Sequence, residues 1–470
     1  MMRQIALLLS LAVGLAGCGQ TQAVREERAV NSILKLGGKV TRDEKLPGRP
    51  VVGVDLSSAQ ITDASLKDLK ELKGLQQLNL MGTRITDARV KELKELKCLQ
   101  YLALGGTEIT DAGLKELKEL KGLQELNLSS TKITGAGLKD LKELVGLQTL
   151  KLGGTYVSDA GMKDIKELKG LQTLDLFSSR ITDAGLKDLK ELKGLHWLDL
   201  GGNHQITDAG MKYLKELKGL KTLKLYSTEI TDAGLKELKE LKGLKTLKLG
   251  HTRITDAGLK ELKELTGLQE LDLTCLQDGR ITDAGLKDLK ELKGLQKLDL
   301  DGTNVSDAGM KDLKELKGLQ ELHLDHTHIT DAGLKELKEL KGLQTLNLFS
   351  CSRITDVGLK DLKELKGLQV LWLRNTQVTD AGMKDLKELK GLQKLDLGGT
   401  NVSDAGMKDL KELKGLQELQ LDHTHITDAG MKDLKELKGL QRLELSGTKV
   451  TRAGVEKLMQ ALPKTYIMGP

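Results

Sequence analysis

The chain has 470 residues, with 52 glycines, 4 prolines, 4 cysteines, 30% charged residues, 2% aromatic residues and a net charge of +6. That balance is unlike an ordinary globular enzyme and points to one small unit used many times. Four cysteines are too few for a disulfide framework in a chain this long.

Residues 1–17 read MMRQIALLLSLAVGLAG, with a single Arg3 ahead of an apolar run that starts at Ile5. The run is shorter than the roughly 20 apolar residues of a membrane-spanning helix. It ends in Leu15-Ala16-Gly17-Cys18, small residues before a bond to be cut and a thiol directly after it. This segment resembles the signal and lipobox of bacterial lipoproteins. The resemblance implies that residues 1–17 are removed and that Cys18 is lipidated. One acyl chain binds membranes only marginally, with a constant of about 10⁴ M⁻¹, whereas two or more hold stably; mature bacterial lipoproteins resemble the second case. Gly19, where the family's retention signal has Asp, implies the outer membrane of the cell envelope more than the inner one, facing either periplasm or surface. The weak positive charge ahead of the apolar run departs from the pattern. A plain secretory signal with an incidental Cys is the alternative.

Residues 18–50 read as a lipid-anchored N-terminus and cap. Ala23 to Leu36 has the spacing of an amphipathic helix with Val30, Ile33 and Leu34 on one face, stopped by Gly37-Gly38. Lys39 to Arg42 and Val51 to Leu56 read as strands.

From Val51 to Pro463 the chain repeats with a period of mostly 24 residues, about 17 times, on the consensus LxxLxLxxTxITDAGLKxLKxLKG. Leu78 and Leu80 are two apart, so both point to one side of a short strand. Thr86-Asp87 starts a helix: Thr caps the free N–H groups and Asp complements the positive end of the dipole. Val90, Leu93 and Leu96 form the apolar stripe, and Lys91, Glu92, Lys94, Glu95 and Lys97 face water. Most repeats close on Gly, with Cys98 once in its place. One strand and one helix cannot bury these leucines alone; stacked copies can. Strands pack about 4.8 Å apart and helices about 8–10 Å, so the stack is expected to bend with its strands on the concave side. The ninth position is usually Thr, as at Thr83, Thr107, Thr131 and Thr155, whose hydroxyl is placed to serve the loop backbone. Residues 464–470 read as a terminal cap that begins a last strand.

The consensus resembles the leucine-rich repeat and covers almost all of the chain beyond Cys18. The resemblance implies an α/β fold, a horseshoe-shaped leucine-rich repeat solenoid with a parallel β-sheet on the concave face and helices on the convex face. KLGGKVTRDE ahead of the repeats and the TDAGL helices are similar to those of planctomycete-type leucine-rich repeat proteins and, more distantly, to the repeats of F-box receptors. Only about 33 residues separate Cys18 from Val51, too few for an F-box, so no ubiquitin-ligase role carries over.

The helices are nearly identical, so specificity has to come from the strand and the loop after it. Tyr101, Tyr156, Phe177, Trp197, Tyr226, Phe349 and Trp372 lie there, as do all eight histidines. Exposed aromatics are favoured in binding sites; the competing reading is drift at solvent-facing positions. Three repeats, from Leu195, Leu268 and Leu343, carry extra loop residues, a second contact line or tolerated insertions. Lys221, Lys224, Lys245 and Lys248 are expected to form a basic patch on two neighbouring strands, suited to an anionic partner or simply solvated. Helical Lys and Glu or Asp cancel in the repeat from Leu319 and balance in most others, which argues against a nucleic-acid footprint.

His323, Asp325, His326 and His328 are the one candidate metal set, of residue types that hold Zn²⁺ or Cu²⁺. A strand alternates its faces, so the four need not converge. The repeats from Leu392 and Leu416 nearly copy those from Leu295 and Leu319, with Gln420 in place of His323. No nucleophile motif, phosphate loop or CxxC pair is present. The expectation is a non-catalytic, monomeric scaffold without cofactor that binds a protein or glycan on its strands. The alternatives are an envelope spacer or a metal-binding protein.

Overall fold

Each repeat after the first carries a strand of three residues near its start. In the repeat from Leu75 it is Gln77–Asn79; Leu75, Leu78 and Leu80 are fully buried, while Gln77 is exposed. Alternation sends Leu78 inward and its two neighbours outward. The computed structural model describes residues 22–61, 66–275 and 279–469. The leader and Cys18 lie outside them, as does the middle of the loop between Thr274 and Arg280. The chain divides into two units, Met1–Leu220 and Lys221–Pro470.

The first unit begins with a helix over residues 22–35, stopped at Gly37, whose φ of +80° suits the end of a helix. Ala29, Val30 and Ile33 are buried, but Leu34 is 53% exposed, which corrects the expected apolar face. The stripe that packs is narrow, and Leu34 lies past its edge. Strand β1 (Lys39–Arg42) pairs antiparallel with β2 (Val51–Asp55). From β2 onward the strands of this unit run parallel, through Trp197–Asp199, with their central residues in register: Val54 with Leu78, Leu78 with Leu102, and on to Leu174 with Leu198. The second unit repeats the arrangement from Thr222–Lys224 to Tyr466–Met468, where Ile467 pairs with Leu443 to close the last repeat.

Helices follow most strands. Asp111–Leu117 starts after Thr110, whose hydroxyl accepts from the Ala112 N–H at 3.2 Å, and Leu114, Leu117 and Leu120 are buried. Each such leucine contributes about 1.5–3 kcal/mol by leaving water. Lys and Glu on the outer face pair between repeats, as in Lys121 with Glu143 at 3.0 Å and Lys317 with Glu339 at 3.5 Å. Exposed pairs of this kind contribute about 0–1 kcal/mol each, so the leucines dominate.

Asp at the helix start reaches further than the dipole. The Asp87 carboxylate accepts the Thr110 backbone N–H at 2.8 Å and its hydroxyl at 2.6 Å, one repeat on. The same two bonds join Asp283 to Ser306, Asp307 to Thr330 and Asp404 to Thr427. The repeat from Leu123 has Gly135 where the others have Asp, save the last, which has Arg452. Gly135 has φ +107°, and the segment after it, Leu138–Glu143, is a 3₁₀ turn.

The ninth-position threonines from Thr83 to Thr424 are buried, and each hydroxyl serves its own turn. Thr83 donates to the Leu80 carbonyl at 2.6 Å, and Thr107 to that of Leu104 at 2.6 Å. Asn203 takes the same position once and is long enough to span repeats. Its amide donates to Leu200 of its own repeat at 2.8 Å and to Leu176 of the previous one at 2.9 Å. Among the described residues no helix is long and apolar enough to cross a membrane.

Candidate functional site

The outward residues of each strand and the tight turn after it form the variable surface. The eighth residue of most repeats has positive φ. Glycine fills it at Gly82 and Gly302, but His251, His326 and His423 hold φ between 55° and 57° there. Histidine is among the few non-glycine residues that enter this region with any frequency. Three of the eight histidines therefore sit on turn apices for a backbone reason that the sequence pattern does not announce.

The seven candidate aromatics occupy different columns. Tyr101 and Trp197 open their strands and are half-buried. Phe177, 38% exposed, and Tyr156, 47% exposed, lie in the loops, and the Arg180 guanidinium sits 4.5 Å over the Tyr156 ring. Tyr226 lies half-buried in the turn after Thr222–Lys224. Trp372 and Phe349 lie on adjacent repeats, each edge-on to a histidine: Trp372 with His323 at 5.9 Å, and Phe349 with His326 at 5.0 Å.

The four lysines are neighbours, as the spacing predicts. Lys224 stands opposite Lys248, and the Lys245 N–H donates to the Lys221 carbonyl at 2.7 Å. Their charge is partly answered within the sheet, however. Lys248 pairs with Glu270 at 2.6 Å, and the Lys245 ammonium donates to the Gly267 carbonyl at 3.0 Å.

The four-residue metal set does not converge. His323 turns to Glu321, its Nε2 2.9 Å from the carboxylate. His328 is exposed further along the loop. Alternation and the turn between them separate these two from the pair that does come together, Asp325 and His326. Asp301 of the preceding repeat joins that pair: His326 Nδ1 is 3.1 Å from Asp301 Oδ1, and one donor atom from each of the three lies within 4.8 Å of the others. Burial, and then the charge of Asp301, push the Asp325 carboxyl up to about 6. Its Oδ1 is buried with no hydrogen-bond partner. Burial also raises Asp299 beside it.

The duplicated repeats hold a related pocket with a different occupant. There Arg374 lies between two buried carboxylates, its Nε 3.1 Å from Asp396 and its Nη2 2.5 Å from Asp422. Burial pushes Asp396 up while Arg374 opposes it. Asp301 and Arg374 were not among the sequence candidates. Their signal was the register: each is the seventh residue of its repeat, the column that also holds Asp325, Phe349 and Asp422.

Among the described residues the cysteines form no disulfide. Cys351 is fully buried, its thiol donating to the Leu324 carbonyl at 3.0 Å, and burial pushes it up to about 11. Cys275 is buried as well, and Cys98 is exposed.

The leucine-rich repeat region model matches residues 111–285 and 180–361, and a second leucine-rich repeat model matches residues 95–118, 392–411 and 416–435. A leucine-rich repeat protein of Leptospira interrogans is similar at 28% identity and TM-score 0.53, over 86% of this chain and 92% of its own. The fold is shared with TLR13, solved as a TLR13–ssRNA13 complex, at 20% identity and TM-score 0.55 over 87% of this chain and 67% of that one. No curated protein matches the sequence significantly. With its strands, helices and turns repeating in register, the chain belongs to the leucine-rich repeat proteins, a family of scaffolds that usually serve protein interaction and are typically non-catalytic.

Proposed function

We propose that this protein is a non-catalytic scaffold of the cell envelope, anchored by lipid on Cys18, that binds a protein ligand on the outward face of its strands. The observation that carries the reading is the contrast between its two surfaces. The helix surface repeats the same Lys–Glu pairs, each closed onto the next repeat, as in Lys97 with Glu119 and Lys242 with Glu264. It offers little to tell partners apart. The strand surface changes from repeat to repeat and gathers Trp372, Phe349, His323 and His326 on three consecutive repeats. Large rings held in place by neighbours lose little entropy on binding, which makes Trp372 and Phe349 suitable anchors.

The anchor reading rests on the order of apolar run, small residues and Cys18 in the sequence. Outer-membrane placement follows from Gly19 by the same resemblance. A Cys18→Ala variant is expected to leave the membrane fraction and to lose acyl labelling.

Envelope extracts passed over wild-type protein and over the double variant W372A/F349A test the binding face. The expected result is a protein ligand retained by the wild type and lost by the double variant while both stay folded. Equal retention by both excludes this face.

A further inference from the structure

We propose that Asp301, Asp325 and His326 form a binding site for one divalent transition-metal cation, of the Zn²⁺ type. Two carboxylates and an imidazole come from adjacent repeats, and their donor atoms already lie within 4.8 Å of one another. Such a mixed oxygen–nitrogen set suits a first-row divalent ion and leaves a coordination position open to solvent or to a ligand. The Asp325 Oδ1 is buried without any hydrogen-bond partner, an arrangement that costs free energy unless a cation or donor meets it. His326 keeps a left-handed backbone at φ +56°, and its ring rests edge-on against Phe349, 5.0 Å between centroids. Both features fix the imidazole on the turn apex above the carboxylates.

The chain carries its own comparison. Asp396, Asp422 and His423 in the duplicated repeats occupy the registers of Asp299, Asp325 and His326. In that copy Arg374 supplies the positive charge, bonded to both carboxylates. Its guanidinium carbon lies 2.6 Å from where a Cβ on Gly398 would be, so no side chain fits there. Gly398 holds the register of Asp301. In the first copy the register of Arg374 is held by Thr274, which bonds instead to Asp272 of its own strand, its hydroxyl at 2.7 Å. One pocket thus has two carboxylates and a guanidinium. The other has three carboxylates (Asp299, Asp301 and Asp325) and a histidine, His326, set against Asp301. Charge balance calls for a cation in the second where the first carries its own.

The inference does not depend on Trp372 or on any protein ligand. Its test is equilibrium dialysis and calorimetry of the untagged full chain against ZnCl₂, with Ca²⁺ as comparator. Wild type is expected to bind one Zn²⁺ with X-ray absorption showing a nitrogen and oxygen shell, and to gain thermal stability on binding. Asp325→Asn is expected to weaken binding at least tenfold, and His326→Gln similarly. The pair Thr274→Arg and Asp301→Gly, which rebuilds the Arg374–Gly398 arrangement, is expected to abolish it. His423→Gln is expected to change nothing. Circular dichroism checks that each variant is folded, and Asp325→Asn removes repulsion without changing shape. Absence of stoichiometric Zn²⁺ in the wild type overturns the proposal. So does binding that is unchanged in Asp325→Asn, or a preference for Ca²⁺ that His326→Gln leaves intact.

Discussion

Asp307 bonds twice to Thr330, the residue that caps the helix of the next repeat, through the backbone N–H at 2.8 Å and the hydroxyl at 2.7 Å. This pair and its equivalents tie most helix starts to the one before. They also explain the glycine in the TDAG sequence. A Cβ on Gly333 would meet Asp307 Oδ1 at 2.6 Å, and one on Gly358 would meet Asp331 Oδ1 at 2.5 Å. The carboxylate occupies the space that a side chain would need.

Asp307→Ala is therefore expected to lower stability by about 1–3 kcal/mol, the range for a hydrogen-bonded charged group removed from two donors. Gly333→Ala is expected to destabilise as well, by displacing the same carboxylate. Urea denaturation followed by circular dichroism measures both. The double variant is expected to cost less than the sum, because the carboxylate that Gly333→Ala displaces is already gone.

The last link of this series sets an acid limit on the C-terminal end. The backbone N–H and then the hydroxyl of Thr451 hold the Asp428 carboxyl below its ordinary value of 3.8. A lowered folded value means that the unfolded chain binds the proton more readily. The contribution is thus complete above the ordinary value and is lost as pH falls through the lowered one. Hydrogen exchange at the Thr451 amide is expected to rise in wild type below about pH 4, and to be high and less pH-sensitive in Asp428→Asn.

Arg374 answers two buried carboxylates, so Arg374→Leu leaves Asp396 and Asp422 facing each other. Removing one partner of a fully buried pair costs about 3–5 kcal/mol; the partial exposure of Arg374 brings the expected loss to about 2 kcal/mol or more. Adding Asp422→Asn is expected to recover part of it. The check is the shift in thermal midpoint of the single and double variants.

Burial raises the Cys351 thiol to about 11 and leaves Cys98 exposed. A maleimide at pH 7.5 is expected to label Cys98 within minutes and Cys351 only after denaturation, because the thiolate is the reacting form. Mass spectrometry of the peptides distinguishes the two.

Much of the fold was legible because its physics is local and periodic. The alternation of Leu78 and Leu80, the Thr86-Asp87 helix start and the Val90–Leu93–Leu96 stripe each reduce to the 2.0 and 3.6 periods. What escaped lies between repeats. The sequence marks Asp87 as a residue for the helix dipole, and only stacking brings it to Thr110. The ninth-position Thr serves the backbone of its own turn, as expected, but the sequence does not show that the longer Asn203 bonds across two repeats. Leu34 lies in the apolar spacing, yet it is left outside because the first strands cover a narrower stripe. The candidate metal set failed for a related reason. Four residues close in sequence alternate in direction, and the partner of Asp325 and His326 is Asp301, 24 residues before Asp325 and in the same register.

The central claim is that the strand face meets the ligand and the helix face does not. Site-specific photo-crosslinking in intact cell envelopes measures this directly, with the reactive group placed in turn at Val370 beside Trp372 on the strand and at Lys366 on the outer face. The account predicts a discrete protein adduct from position 370 that disappears in Trp372→Ala, and none from position 366. Adducts from position 366 alone, or none from position 370, would contradict it.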